Sequence, residues 1–463
     1  MKSVSVFILL NSVKNDERTV QLLMRKKKLP ALFLVSFCSA LVFSGSVQAK
    51  IYIDVDSPTF QLFPIAICDF IQTPSNAVKS MDYGIVLADE VKKYLAMTGY
   101  FNILNKKSFL EESPAGELPA AHVNFSDWTM IGADYLLKSN FFESGGGIVA
   151  ECRFYDVIRG DLIFGKKYGV PAGGQANLGK NVASDILFAL TGDEGEFNTK
   201  IALVVKKGNR GDIYTVNYDG TDMQPVTGHR AIIVAPRWSP DGRFLAFTSF
   251  KDGSPEVYLR DLKTGAEKKI AFFEGLNLCG YWSPDGQKIL LTLSKEGNEE
   301  LYVLEIATMK LKRLTSSYSI DVSPSWSPDG KKIAFVSNRG GSPQIYTMDA
   351  DGENIKRITF EGNYNTTPSW SPRGGRIAYE GLINGRFQIF TIDEEGNNLL
   401  QLTFNAADNE SPSWSPSGRQ IVYSAKTNSN SKICIMNANG LNVRVLNENN
   451  GSLSMPMWSP RFK

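Results

Sequence analysis

The stretch "SWSPDGKKIAFVSNR", Ser325 to Arg339, is a tight turn followed by a short strand, and relatives of it recur down the second half of the chain. The tripeptide "WSP" begins at Trp238, Trp282, Trp326, Trp370, Trp414 and Trp458, always 44 residues apart. Gly242, Gly286, Gly330, Gly374 and Gly418 hold one further register, and Ile201, Leu245, Ile289, Ile333, Ile377 and Ile421 hold another. Residues 200 to 463 number 264, six times 44.

A period of this length belongs to stacked or circular repeats. Within the unit, Ser-Pro-Asp-Gly suits a type I turn: Pro fixes φ at the second position and Gly favours the fourth. The flanking runs "KIAFVS", "QIYTMD" and "IKRITF" are β-branched and aromatic, with no helical period. A second turn, "DADG" at Asp349 to Gly352, separates two of them. Each unit thus supplies four strands. One such sheet alone cannot bury both faces, whereas six packed face to face around an axis can. The expected fold is mainly β with an α/β N-terminal domain: a six-bladed β-propeller of four-stranded blades, with WD40-like repeats. The Trp and aromatic registers read as packing between blades.

The ends of the repeat define how the ring closes. The first unit starts at its second strand, "KIALVV" from Lys200, and the final "MPMWSPRFK" is a Trp strand with nothing after it. Met457 and Trp458 are therefore expected beside Ile201 to Val205. Joining strands from both ends removes exposed sheet edges.

Ahead of the propeller, Arg25 to Lys28 form a basic cluster, Leu29 to Phe43 an apolar run and Val47-Gln48-Ala49 a small-residue exit. This is the pattern of a secretory signal cleaved after Ala49. The first residues add nothing to such a signal, so the start is open between Met1 and Met24. Removing residues 1–49 leaves 43 basic against 46 acidic side chains, so the whole-chain pI gives no argument for nucleic-acid binding. Beyond the N-terminus no stretch is long and apolar enough to span a membrane. Of the remaining cysteines, Cys279 and Cys434 fall in blades on opposite sides of the ring. Cys68 and Cys152 are on strands of one domain and are read as buried thiols, with a disulfide as the alternative.

Residues 50–195 lack the repeat. "FPIAICDF" reads as a buried strand, followed by a helix from about Asp82 to a stop at Gly99, a strand "YFNIL", a short helix from Ser126 to Gly132, and a meander through "ADYLLKSNFF", "IVAECRFYDV" and "LIFGKKYGV". A helix from about Ala176 to Leu190 stops at Gly192. Strands alternating with helices imply a small α/β domain, joined to the propeller (200–463) through Thr191 to Thr199. Lys50 to Phe60, "KIYIDVDSPTF", alternates like a strand that is free to dock on its own sheet or on a partner's edge.

Catalytic signatures are missing. The chain has two histidines, His122 and His229, and no GxSxG, HExxH, GxxxxGK[ST] or paired CxxC; "SGGGIVAEC" breaks GxGxxG at Ala150. No cofactor, metal or enzymatic activity is expected. His229 reads as an exposed residue on a loop between blades. The connections between blades differ from one another, as in "SSYSIDVSP", "EGNYNTTP" and "NAADNESP", and a uniform scaffold with non-uniform loops presents one particular binding surface. Tyr318, Asp321, Tyr364, Asn365, Asp408, Asn409 and Glu410 are contact candidates there.

Together, the signal, the "FPIAICDF" domain, the "PxWSPDGxxIAF...IYxMDxDG" units and the ending shortly after the last "WSP" resemble the TolB family, periplasmic components of the Tol-Pal cell-envelope system. The resemblance implies a non-enzymatic, monomeric periplasmic adaptor of a Gram-negative bacterium. In that family the propeller binds the peptidoglycan-associated lipoprotein Pal and the extreme N-terminal segment binds TolA, supporting outer-membrane integrity and invagination during cell division. Other envelope proteins or bacteriocins are further candidate partners. Carried over by position, the TolA-binding segment is Lys50, Ile51, Tyr52, Ile53, Asp54, Val55, Asp56, Ser57, Pro58 and Thr59. The Pal-binding rim is His229, Arg230, Leu276, Asn277 and the seven loop candidates above. Leu276 stands where well-known members place a His. The alternative reading is a periplasmic propeller that binds a small ligand, glycan or metal in its central channel.

Overall fold

The computed structural model describes residues 61–73, 81–110, 123–428, 430–447 and 451–462. The expected signal, the segment Lys50 to Thr59 and His122 lie outside the described residues.

In the N-terminal region the strands are β1 (Phe63–Ile67), β2 (Ile71–Gln72), β3 (Phe101–Ile103), β4 (Tyr135–Ser144), β5 (Gly147–Asp156) and β6 (Asp161–Pro171). The helices are α1 (Met81–Thr98), α2 (Phe125–Met130) and α3 (Gln175–Thr191). The sheet runs β3-β1-β4-β5-β6, with β2 beside β4. Its first pairs are parallel, and β4, β5 and β6 form the expected antiparallel meander. Alternation along β1 sends Ile65 and Ile67 to one face and Ala66 and Cys68 to the other. Helices α1 and α3 cover the first face with Leu87, Val91 and Leu95 and with Val182, Ile186 and Leu190, an i, i+4, i+8 stripe on each. Trp128 of α2 packs on the second. Helices α1 and α3 stop at Gly99 and Gly192, which take φ of 70° and 75° where a side chain would be strained. Cys68 and Cys152 sit in the cores of opposite faces, and burial pushes the Cys152 thiol up to about 12.

The propeller has six four-stranded antiparallel sheets. Blade 4 is typical: Asp321–Trp326 innermost, then Lys332–Ser337, Gln344–Asp349 and Lys356–Arg357. The "SPDG" turn is fixed by its own side chains. Ser327 Oγ donates to Asp329 at 2.6 Å and accepts from Lys332 N at 2.9 Å, while Gly330, at φ 70°, returns its N–H to Ser327 O at 3.0 Å. The same bonds recur at Ser239 with Asp241 and at Ser283 with Asp285.

Each repeat Trp is buried against its neighbour blade. The indole N–H of Trp282 donates to Arg237 O at 3.3 Å, that of Trp414 to Ser369 O at 3.0 Å, and that of Trp238 to Met457 O at 3.2 Å. One register therefore fills the gap between blades, and at these three positions it also ties their inner strands. Blade 1 is assembled from both ends of the domain: Ser452–Trp458 pairs antiparallel with Lys200–Lys207, setting Trp458 opposite Ile201 and Met457 opposite Ala202.

Residues 192–199 form a tight, charged joint. Asp193 accepts from Arg419 at 3.1 Å and pairs with Arg461, and buried Glu196 accepts from Ser417 N at 3.1 Å. Met97 O, at the end of α1, accepts from Tyr218 OH at 3.1 Å and Gln420 Nε2 at 3.2 Å. One apolar core runs from the α1 and α3 face through Phe197 and Tyr218 to Trp458.

Candidate functional site

Strand order puts the "SPDG" and "DADG" turns on one rim of the ring. The connections between blades, with the turns joining second and third strands, lie on the other. The second rim carries the side chains that differ between blades.

The structure separates the expected rim residues into two groups. Asn277, Asp321 and Asn365 open the inner strands of blades 3 to 5 and Asn409 is second in that of blade 6, spaced by 44, and all four are at most 3% exposed. Asn365 Nδ2 donates to Gln344 Oε1 and Glu361 O, both at 2.8 Å, and Asn409 Nδ2 to Gln388 Oε1 at 3.0 Å. Asn277 closes its loop through Phe273 O and N, and Asp321 takes Arg339 Nη2 at 2.8 and 3.1 Å. These four were expected at the surface. They lie inside instead, because the loop's backbone groups need partners and a short amide or carboxylate at the strand start supplies them. The first residue of the third strand completes the tether: Gln344 also bonds Gly362 O and receives Thr359 Oγ1.

His229 also departs from the exposed position expected. Its ring is half-buried, with Nδ1 3.0 Å from Ser249 Oγ and Nε2 3.1 Å from Glu267. Burial raises the Glu267 carboxyl, but His229 and Lys251 more than offset this and hold it down to about 2. Ser249 is fully buried, so this Ser-His-Glu set offers no nucleophile to a substrate.

Two of the expected rim residues that reach solvent are aromatic. Tyr318 is fully exposed and Tyr364 is 41% exposed, its ring edge-on to Phe387 at 5.7 Å; Arg230 is exposed beside His229. Leu276 and Asp408 are half-buried, and Asp408 pairs with Arg386 at 3.0 Å. The sequence reading missed Phe272, Phe360 and Phe404, which lie within three residues of the ends of the outermost strands of their blades and are 64%, 69% and 77% exposed. The signal was available, since they share the 44-residue register. Ile232, Phe273 and Ile320 add to them. The other rim also exposes apolar side chains at its turns, Met309, Ile355, Leu399, Leu441 and Val443, but none of these is aromatic.

The wall of the channel holds a feature with no sequence expectation. Each innermost strand is bulged midway, and at Ala235, Ser323, Thr367, Ser411 and Met455 the residue before a proline takes φ between 49° and 57°. That conformation is unfavourable before proline, so it is held by the ring. Beside it, Glu380 on the second strand of blade 5 is 8% exposed and accepts from Ser411 N of blade 6 at 2.6 Å. Burial pushes its carboxyl up to about 7; the Ser411 N–H and Thr367 hydroxyl act downward and Glu410 upward. Glu410, half-buried, is also raised, by burial first. Among the described residues no group of His, Cys, Asp and Glu is arranged to hold a metal ion.

A closed six-bladed propeller fused to an α/β region, with its chemistry on one aromatic rim, defines a scaffold for binding. Residues 188–462 match the family model for the TolB beta propeller domain and residues 51–163 that for the TolB amino-terminal domain. The chain belongs to the TolB family. It is 46% identical over 244 residues to the Tol-Pal system protein TolB of Syntrophus aciditrophicus, covering 52% of this chain and 54% of that one. It is 36% identical over 229 residues to the protein of the same name from Desulfosudis oleivorans, covering 49% and 51%. These matches span about half the length of the curated relatives. The crystal structure of TolB from Acinetobacter baumannii superposes with a TM-score of 0.74 at 30% identity, over 86% of this chain and 97% of that one.

Proposed function

We propose that this protein is a periplasmic adaptor of the Tol-Pal system that carries no catalysis of its own. Its propeller binds the peptidoglycan-associated lipoprotein Pal through the rim of connections between blades, and Lys50 to Thr59 bind TolA. The observation that carries the rim assignment is the exposed set Phe272, Tyr318, Phe360, Tyr364 and Phe404 on one rim, where Asn277, Asp321, Asn365 and Asn409 are turned inward. Aromatic side chains of this kind anchor protein interfaces. Membership of the TolB family, whose relatives are named as Tol-Pal system proteins, supports protein partners in the cell envelope, and the choice of Pal and TolA follows the family resemblance. The route is export by the N-terminal signal, with activity in outer-membrane integrity and cell division.

The test is capture of purified Pal from the same organism by the immobilised chain from residue 50 onward, beside a form lacking Lys50 to Thr59. Retention of Pal by both forms, with TolA retained by the longer form alone, is the expected pattern. Failure of the longer form to retain Pal would contradict the proposal and favour a ligand of the central channel.

A further inference from the structure

Glu380 is out of character for its position. The same register holds Thr248, Thr292, Val336 and Ser424 in other blades, and in blade 2 the Thr248 hydroxyl bridges to the next blade, donating to Asn277 O and accepting from Cys279 N. Blade 5 alone among these places a carboxyl in the seam. There it accepts from Ser411 N at 2.6 Å and lies beside the buried Thr367 hydroxyl. Both neighbours are donors, so an ionised carboxylate could accept from each, but it would do so as a buried charge with no cation beside it, which is costly unless the seam opens to water.

The charged groups around this seam do not neutralise it. Glu410 on the inner strand of blade 6 acts on Glu380 with the same sign. Lys426 and Lys206 act on Glu410, as does Asp408, which is itself paired with Arg386. No ion pair joins Glu380 to a cation among the described residues.

We propose that the seam between blades 5 and 6 is a proton-operated element: protonated Glu380 seats the strand from Asp408 to Trp414 against blade 5, and ionised Glu380 loosens it. Asp408 and Glu410 stand on that strand at the partner rim, so the element tunes partner capture. This last step rests on the rim reading; the seam itself does not. Desolvation explains why the change falls near neutral pH, since burial brings the carboxyl there.

The experiment compares wild type with Glu380→Gln and Glu380→Thr, the latter copying blades 2 and 3. In the first arm, without partner, hydrogen exchange of the Asp408 to Trp414 segment is followed at pH 6 and pH 8, corrected for intrinsic rates. Protection falling at least about threefold in wild type at pH 8, and by neither variant, is expected. The same pH response in all three proteins would overturn the seam proposal, as would no response in wild type. In the second arm, Pal affinity is measured at both pH values. Tighter binding at pH 6, abolished by both substitutions, supports tuning. Affinity that is equal at both pH values refutes the tuning, and absence of binding at either pH refutes the functional reading while leaving the first arm decisive for the seam.

Discussion

Trp458 lies opposite Ile201 in an antiparallel ladder, and its indole N–H donates to Thr199 Oγ1 at 2.8 Å. The last strand of the chain is thereby built into the blade that begins the repeat, and Ser459 N bonds Lys200 O at 2.9 Å to extend the seal. Trp458 also belongs to the core shared with α1 and α3, so ring closure and seating of the N-terminal region are one packing problem.

Trp458→Ala should lower the unfolding free energy by about 3–5 kcal/mol, the usual cost of emptying a buried aromatic site. Urea denaturation followed by far-UV circular dichroism measures it. The N-terminal region and blade 1 should lose stability together. A change within about 0.5 kcal/mol would mean that the closing strand contributes little.

Asp219 ties the regions electrostatically. It accepts from Tyr94 OH at 2.7 Å and pairs with Lys93 at 3.3 Å, both on α1. Burial raises this carboxyl, but its bonds from Thr221 and Tyr94 outweigh that and bring it from 3.8 to about 2. A carboxyl held lower in the folded state contributes stability that is present above 3.8 and disappears as pH falls through about 2. Asp219→Asn should therefore cost about 2 kcal/mol at pH 7 and nearly nothing at pH 2. Melting curves of both proteins across that range provide the check.

The inward asparagines predict a split between neighbouring loop residues. Asn365→Ala strands Gln344 Oε1 and the Glu361 carbonyl and should cost about 1–3 kcal/mol. Tyr318→Ala removes a fully exposed ring and should leave stability within about 0.5 kcal/mol. Equal losses in thermal denaturation would contradict the division of the rim into tethers and contacts.

The ring was legible because every blade repeats the same turn at the same spacing, so the positions of Trp238 to Trp458 alone fix blade number and closure. The strands and helices before Lys200 were legible from their apolar period and their glycine stops. Loop residues were harder, since composition does not say which way a polar side chain turns. Asn365 and Tyr364 are adjacent, yet one serves the loop's own backbone and the other faces solvent. The 44-residue register of Asn277, Asp321, Asn365 and Asn409 distinguishes a repeated internal tether from a loop-specific contact. Phe360 and Phe404 share a register as well, so periodicity marks them as structurally equivalent while only the fold shows them exposed. Glu380 stood unnoticed in an apolar strand because its meaning depends on Ser411, which belongs to the next blade.

The central claim is that the aromatic rim binds Pal. Calorimetric titration of the chain from residue 50 onward with purified Pal, repeated with the double substitution Phe360→Ala and Phe404→Ala, tests it most directly. Saturable binding weakened at least about tenfold by the double substitution, at an unchanged melting temperature, is the predicted result. Binding of equal strength by both proteins would contradict the claim.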